Sequence, residues 1–230
     1  MMGKGGQGLS LTTIWLGYKI LGNNYRLENN QIKEGEQLAK TSCENTTMMK
    51  KYMFASDVHG SAWYCKKMLE AYEQSGAERL ILLGDLLYHG PRNDLPKEYA
   101  PKEVIAMLNE KKNEICAVRG NCEAEVDQMV LNFPVMADYA LLELNDLTFF
   151  ATHGHVFNEE HMPPLKAGDI LVHGHTHLLR ADRVGDNYIL NPGSVSIPKG
   201  GNPATYAILD GKTFQIMDFD GNIVKEITFA

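Results

Sequence analysis

The run Leu80-Ile81-Leu82-Leu83-Gly84-Asp85 constrains the chain more than any other stretch, because a wholly apolar segment delivers one carboxylate just after a glycine. Four consecutive apolar residues bounded by Arg79 and Gly84 suit a buried strand of a sheet covered on both faces, where side chains need not alternate between core and solvent. A charge at the end of such a strand needs a partner, since burying an unpaired carboxylate costs far more than burying one that is hydrogen-bonded or bound to a metal. Taken alone, a Gly-Asp of this kind is more often a cap for the turn that follows. The rest of the chain decides between these readings.

The same construction recurs. Tyr52-Met53-Phe54-Ala55 reads as a buried strand ending in Ser56-Asp57-Val58-His59-Gly60. A helix follows, with Ser61 as N-cap, Cys65, Met68, Leu69 and Tyr72 at i, i+3, i+4 and i+7, and Gly76 as the C-cap glycine. With the strand from Leu80 to Leu83 this makes a strand-helix-strand crossover, hence a parallel pair. Ligands in such sheets gather at the carboxyl ends of the strands, where Asp57, His59 and Asp85 stand. Pro101 starts a second helix carrying Val104, Ile105 and Leu108, and a third strand, Ile115 to Val118, runs into Arg119-Gly120-Asn121-Cys122.

After a short helix from about Glu123 to Leu131 the pattern changes. Leu141 to Leu144, the turn Asn145-Asp146 and Thr148 to Ala151 predict a hairpin, and further turn signals fall at Gly185-Asp186-Asn187, Asp210-Gly211 and Asp220-Gly221-Asn222. The expected fold is α/β (α+β): a parallel first half, a largely antiparallel second half, and two mixed sheets sharing one core.

All eight histidines lie between His59 and His177. His153 and His155 are expected to alternate along one strand end and His175 and His177 along another, so that each pair turns both rings to one side. Each residue has a structural explanation by itself: Asp57 as a helix cap, His59 as a loop histidine, Asn121 as a turn residue beside Gly120. Chance is a poor account of five segments that each end a predicted strand in a metal-competent residue.

These motifs carry a resemblance. Asp57-x-His59-Gly60, Gly84-Asp85, Gly120-Asn121-Cys122-Glu123, His153-Gly154-His155 and Gly174-His175-Thr176-His177 are similar, in order and spacing, to those of the calcineurin-like metallophosphoesterases. The resemblance covers about residues 49 to 230 and points to the small single-domain bacterial and archaeal phosphodiesterases, whose fold is an αββα sandwich. Asn191-Pro192-Gly193-Ser194 and Pro198-Lys199-Gly200-Gly201 also resemble that branch, although by composition they are only turns.

The resemblance implies two divalent transition-metal ions, one held by Asp57, His59, Asp85 and His177, the other by Asp85, Asn121, His153 and His175. Oxygen and imidazole ligands without thiolate suit Mn, the expected ion, or Fe, Co, Ni or Zn. Two such ions roughly 3.5 to 4 Å apart lower the pKa of a shared water, so that hydroxide rather than a side chain attacks phosphorus. The catalytic set is then Asp85, Asn121 and His153, with a small phosphodiester as substrate.

One departure from the family stands out. Many relatives have histidine after the Asn, whereas this chain has Cys122, and a thiol is a weak hydrogen-bond donor. His155 is a second candidate helper, with support of a ligand as its alternative role. Arg92, Arg119 and Lys199 could meet phosphate, but a surface or ion-pair role is the ordinary one for each. His89 and His161 read as exposed loop residues, and His173 as the close of a strand. The same fold also serves as a protein-interaction scaffold in a retromer subunit and hosts phosphomonoesterases and dinucleotide hydrolases; retention of every ligand-type residue favours an enzyme, and Cys122 disfavours a monoesterase.

A net charge of -7 and a pI near 5.6 argue against an extended nucleic-acid surface. Four cysteines without a CxxC pair suit a reducing cytoplasm. Leu9 to Leu21 is too short and too interrupted to span a membrane, and homo-oligomerisation is left open. Residues 1 to 47 are Gly- and Asn-rich without sustained periodicity, and Met48-Met49-Lys50-Lys51 leads directly into the first strand. Residues 1 to 47 are therefore expected to be a disordered or non-native extension and residues 48 to 230 the metallophosphoesterase domain. Intact-mass analysis of the protein from its natural source is expected to show a start near Met48; a mature N-terminus near Met1 contradicts this.

Overall fold

The computed structural model describes residues 49 to 229, so the expectation for residues 1 to 47 lies outside the described residues. The chain runs β1 (Lys51–Ala55), α1 (Ala62–Ser75), β2 (Arg79–Leu82), α2 (Pro101–Glu110), β3 (Ile115–Ala117), α3 (Glu125–Val130), β4 (Tyr139–Leu144), β5 (Leu147–Thr152), β6 (Ile170–Val172), β7 (Arg180–Val184), β8 (Asn187–Asn191), β9 (Thr205–Asp210), β10 (Thr213–Asp218) and β11 (Ile223–Thr228). They form a six-stranded sheet in the order β11-β10-β9-β1-β2-β3 and a five-stranded sheet in the order β4-β5-β6-β8-β7.

The opening crossover forms as its sequence dictates. β1 and β2 pair in parallel with Phe54 opposite Ile81. Between them, Ser61 accepts a hydrogen bond from the Tyr64 N–H, and α1 ends at Gly76 in the left-handed conformation that only glycine adopts without strain. The buried face of α1 is Ala62, Cys65, Met68, Leu69 and Tyr72. Later, Asn145 and Asp146 both take positive φ, 51° and 62°, as a two-residue hairpin turn requires.

The second half departs from a plain antiparallel succession. β6 lies in parallel contact with both β5 and β8, inserted at the centre of its sheet by the long 153–169 connection. Ile170, Leu171 and Val172 are all fully buried, which is the signature of a strand covered on both faces rather than of a hairpin arm.

Two apolar layers result. Between the sheets, Phe54, Ile81, Leu83 and Val118 meet Phe149, Ala151, Val172 and Leu190. On the outer face of the first sheet, Met53, Ala55, Leu80 and Leu82 pack against α1 and against Val104 and Leu108 of α2. Asn109 of α2 binds the backbone of Val130 and Asn132, which brings α3 to the same side. All three described helices therefore belong to the first sheet. On the second sheet's outer face, Phe150 is covered by the rings of Tyr139 and Phe157.

Phe54 is the inter-sheet anchor, with ring centroids 5.4 Å from both Phe149 and Phe214. Phe54→Ala should cost about 3–5 kcal/mol of folding free energy through the cavity it leaves, read as a lowered midpoint in urea or guanidinium unfolding.

Candidate metal centre

The site stands on the carboxyl ends of β1, β2, β3, β5 and β6. Past the last strand pairs, the chains after β1 and β2 stay hydrogen-bonded: Asp57 N to Gly84 O (3.1 Å), His59 N to Asp85 O (2.8 Å) and Gly60 N to Leu86 O (2.8 Å). Within this ladder Asp57, His59 and Asp85 take positive φ of 60°, 49° and 56°, and His175 and His177 take 64° and 60°. Non-glycine residues rarely adopt this conformation, and where they do the surrounding structure holds them there. Glycines supply the close approach. A Cβ on Gly84 would collide with the backbone of Gly120, and one on Gly120 with Asp85, so these two residues let the loops after β2 and β3 touch.

All seven ligand-type residues come together. His59 Nε2 lies 3.3 Å from His177 Nε2, and Asp57 Oδ1 lies 3.2 Å from the latter and 3.6 Å from the former. On the other side, His153 Nε2 is 3.3 Å from His175 Nδ1 and 3.2 Å from Asn121 Oδ1. Asp85 stands between the groups, its Oδ2 3.7 Å from His59 Nε2 and 3.4 Å from His153 Nε2, while its Oδ1 accepts the Cys122 N–H at 2.9 Å.

The donor set fits cations. His59, His153 and His177 each donate Nδ1–H to a backbone carbonyl, of Tyr88 (2.7 Å), Leu83 (2.6 Å) and Ile197 (2.5 Å) respectively. This fixes the tautomer of the neutral ring and turns an unprotonated Nε2 inward. The facing Nε2 atoms of His59 and His177 then have no proton to share, and buried Asp57 Oδ1 has no hydrogen-bond donor. A metal or a proton must lie among them.

The electrostatics agree. Burial alone would raise the Asp57 carboxyl, yet the imidazoles of His177 and His59 set against it and the charge of His153 hold it well below the usual range. Asp85 is lowered against its own burial by His153. Burial opposes charge on His153, but its bond to Asp85 and the nearby carboxylates lift it to about 9. His175 is pushed down to about 4 by burial and by the charge of His153.

The buttresses were not legible as such. Glu123, 4% exposed, accepts three backbone N–H groups: from Asp85 (2.8 Å) and Gly120 (2.5 Å) at Oε2 and from Leu86 (2.7 Å) at Oε1. One carboxylate thus fastens the Asp85 loop to the Asn121 loop. Ser194 and Ser196 hydroxyls both donate to the Asp57 carbonyl at 3.0 Å, and Asn191 Nδ2 binds Gly174 O at 2.8 Å, so the Asn-Pro-Gly-Ser stretch ties the loop of His175 and His177 to that of Asp57. Its only sequence signal was the resemblance.

The remaining candidates separate. Cys122 reaches the cluster, grouped with His59 and Asp85, and burial together with the charge of Asp85 raises its thiol so far that it stays protonated. The His155 ring centroid is 5.4 Å from that of His153; its Nδ1 is buried without a partner, and burial lowers its pKa. Arg119 turns to Asp138 at 3.8 Å, whereas Arg92 and Lys199 line the cavity above the cluster. His89 packs between the rings of Tyr88 and Tyr99, His173 faces Glu159, and His161 is exposed. The expected alternation of the histidine pairs does not occur, because His153 and His155 follow β5 and His175 and His177 follow β6 in loops. His175 joins the His153 group and His177 the His59 group.

A two-sheet sandwich carrying aspartate, histidine and asparagine at its strand ends defines a metallophosphoesterase, and residues 50–213 match the calcineurin-like phosphoesterase superfamily domain, to which the chain belongs. Over 180 residues it is 49% identical to phosphodiesterase YfcE of Escherichia coli K12, covering 78% of this chain and 98% of that protein. The solved structure of E. coli YfcE matches with a TM-score of 0.77, over 78% of this chain and 100% of that one. Phosphodiesterase MJ0936 of Methanocaldococcus jannaschii is 27% identical over 157 residues, 67% of this chain and 89% of that protein. Vacuolar protein sorting 29 of Cryptosporidium parvum, 17% identical with a TM-score of 0.53 over 78% of this chain and 98% of that one, shares the fold.

Glu123→Gln keeps the side-chain volume but sets an amide donor against backbone donors. Affinity for Mn²⁺ should fall about 10- to 100-fold while the far-UV circular dichroism is preserved. Calorimetric titration checks this, and unchanged affinity would remove Glu123 from the centre.

Proposed function

We propose that the protein is a metal-dependent phosphodiesterase holding two divalent ions, with manganese the expected ion, and acting on small phosphodiesters in a reducing cytoplasm. The observation that carries this reading is the position of Asp85 Oδ2 between two histidine groups whose ring nitrogens are turned inward. Asp57, His59, His177 and Asp85 would hold one ion and Asp85, Asn121, His153 and His175 the other. When bound, such a pair activates water and neutralises charge on the phosphoryl oxygens.

The chain's own residues set the terms of the reaction. The carbonyl-bound Nδ1 atoms of His59, His153 and His177 keep their rings oriented, and Glu123 keeps Asp85 and Asn121 in register. Cys122 stands where an imidazole would protonate a departing alkoxide, and a neutral thiol of raised pKa does this poorly. Good leaving groups need no such proton. Diesters with them are therefore favoured over monoesters, whose extra charge also calls for a further donor.

Among the described residues no helix is long and apolar enough to cross a membrane. Cys65, Cys116 and Cys122 are free thiols, in keeping with the proposed compartment. The cluster draws all its residues from one chain, so self-association is not required to complete it. The scaffold alternative shares the fold but gives no reason for so costly a set of buried, inward-facing donors.

Stripping metal and restoring Mn, Ni, Co or Zn singly should give turnover of bis(p-nitrophenyl) phosphate well above that of p-nitrophenyl phosphate. Equal or better monoester turnover contradicts the role given to Cys122, and inactivity with every metal contradicts the enzyme. Asp85→Asn should lower activity by more than about 100-fold and lose metal while retaining a cooperative unfolding transition; an active, metal-loaded variant would overturn the shared position of Asp85.

A further inference from the structure

The cavity over the cluster has a volume of about 430 Å³, far more than one phosphoryl group fills and within the range that holds a whole small ligand. What lines the remainder indicates what the esterified group is. Beyond the ligand-type residues and Cys122, the walls are Arg92, Asn93, Thr176 and Lys199, with Gly90 and Pro91. Imidazoles are the only aromatic rings among the lining residues, and no aliphatic side chain joins them except the proline ring. Recognition of a nucleobase or an aryl group commonly rests on the flat face of a large aromatic side chain, and no phenylalanine, tyrosine or tryptophan lines this cavity.

The two cations are differently situated from their neighbours. Arg119 is engaged by Asp138, and Arg180 by Glu159 and Asp182, but Arg92 and Lys199 pair with no carboxylate among the described residues. They also sit on fixed loops. Lys199 donates its N–H to the carbonyl of His177 (3.1 Å), and its own carbonyl accepts from Asn202 Nδ2 (2.8 Å). The Arg92 loop is closed by Asn93 Nδ2 on the His89 carbonyl (2.9 Å), one residue beyond the Tyr88 carbonyl that holds His59. Both cations thus reach the cavity from the His59 and His177 side. In a chain of net charge -7, these two exposed cations are left free on this rim to meet an anion other than the scissile phosphate, which faces the cluster.

We propose that Arg92 and Lys199 form a subsite for a second anionic group carried by the substrate, making the preferred substrate a small, non-aromatic phosphodiester whose substituent ends in a phosphate or carboxylate. This rests on the phosphodiesterase reading. A guanidinium presents two parallel N–H donors to either group, and the ammonium adds a point charge.

The test uses metal-loaded enzyme and four diesters sharing p-nitrophenol as leaving group, with ethyl, 2-carboxyethyl, 2-phosphonoethyl or thymidine 5′ as the second substituent. The anionic arms should exceed the ethyl arm in kcat/KM by about tenfold, as one or two charged hydrogen bonds allow, with the gain in KM. The two anionic arms decide between carboxylate and phosphate. In R92Q/K199Q, both positions being exposed, the ratio of anionic to ethyl arms should fall to within about twofold of unity. An ethyl or thymidine arm that equals or leads the anionic ones overturns the proposal, as does a ratio that survives in the variant.

Calorimetric binding of methylenediphosphonate and of methylphosphonate gives a readout without turnover. The variant should weaken the first by about tenfold and the second far less; equal weakening overturns the subsite. Failure of all four esters with every metal would sink the phosphodiesterase reading, while the binding comparison still decides the subsite.

Discussion

Five site residues hold left-handed backbone conformations, and the rest of the site depends on keeping them there. Asp57, His59, Asp85, His175 and His177 have φ between 49° and 64°. Conformations of this kind cost of order 1 kcal/mol or more apiece outside glycine. No single contact offsets them. The loops after β1 and β2 hydrogen-bond to each other, the carbonyl of Asp57 is held by two serine hydroxyls, and the Asp85 loop is gripped by Glu123. In return the chain reverses sharply just past each strand, so that successive strands aim side chains at one small volume instead of past it.

That volume is charged, and this is the second constraint. Asp57 and Asp85 are almost wholly buried, beside histidines whose Nδ1 protons are committed to carbonyls. Without cations the cluster borrows a proton, which is why His153 is raised to about 9 while His175, next to it, is lowered to about 4. A site arranged to hold more positive charge than its own side chains carry costs folding free energy unless a ligand supplies it. Such a site is better explained by a cation than by stability. Glu123 is the opposite case. Its carboxylate lies as deeply buried as the others but is satisfied by three backbone N–H groups, so it works as a strut rather than as a donor to metal.

How much of this the sequence disclosed follows from the range of the interactions involved. The opening crossover and its helix were legible because apolar period, N-cap and C-cap are local, and Ser61, Tyr72 and Gly76 act as their spacing required. The residues of the cluster were legible because five strand ends carry donors in order. Their division came with the family resemblance and not from the residues themselves: His175 and His177, two apart in sequence, part company where the backbone at both is left-handed, and nothing in the composition of Gly174-His175-Thr176-His177 records φ. The place of β6 between β5 and β8 escaped for a similar reason, since a three-residue apolar strand looks alike in a hairpin and in a parallel sheet centre. Arg92, Arg119 and Lys199 read identically as surface cations, and only tertiary placement separates the one that meets Asp138 from the two that line the cavity.

The same cavity explains why Cys122 need not be a defect. An imidazole there would add a titratable donor close to Asp85, and with it the ability to serve poor leaving groups and dianionic monoesters. The thiol, held neutral by burial and by Asp85, adds neither charge nor a strong donor. Discrimination must then come from elsewhere, and the nearest groups able to supply it are Arg92 and Lys199, which sit away from the reacting centre and act on the substituent rather than on phosphorus. Binding energy gained at such a remote group raises kcat/KM through KM. On the proposed reading, loss of acid assistance at Cys122 and recognition of a second anion at the rim are complementary: the first would restrict the enzyme to esters that leave readily, and the second would select among them.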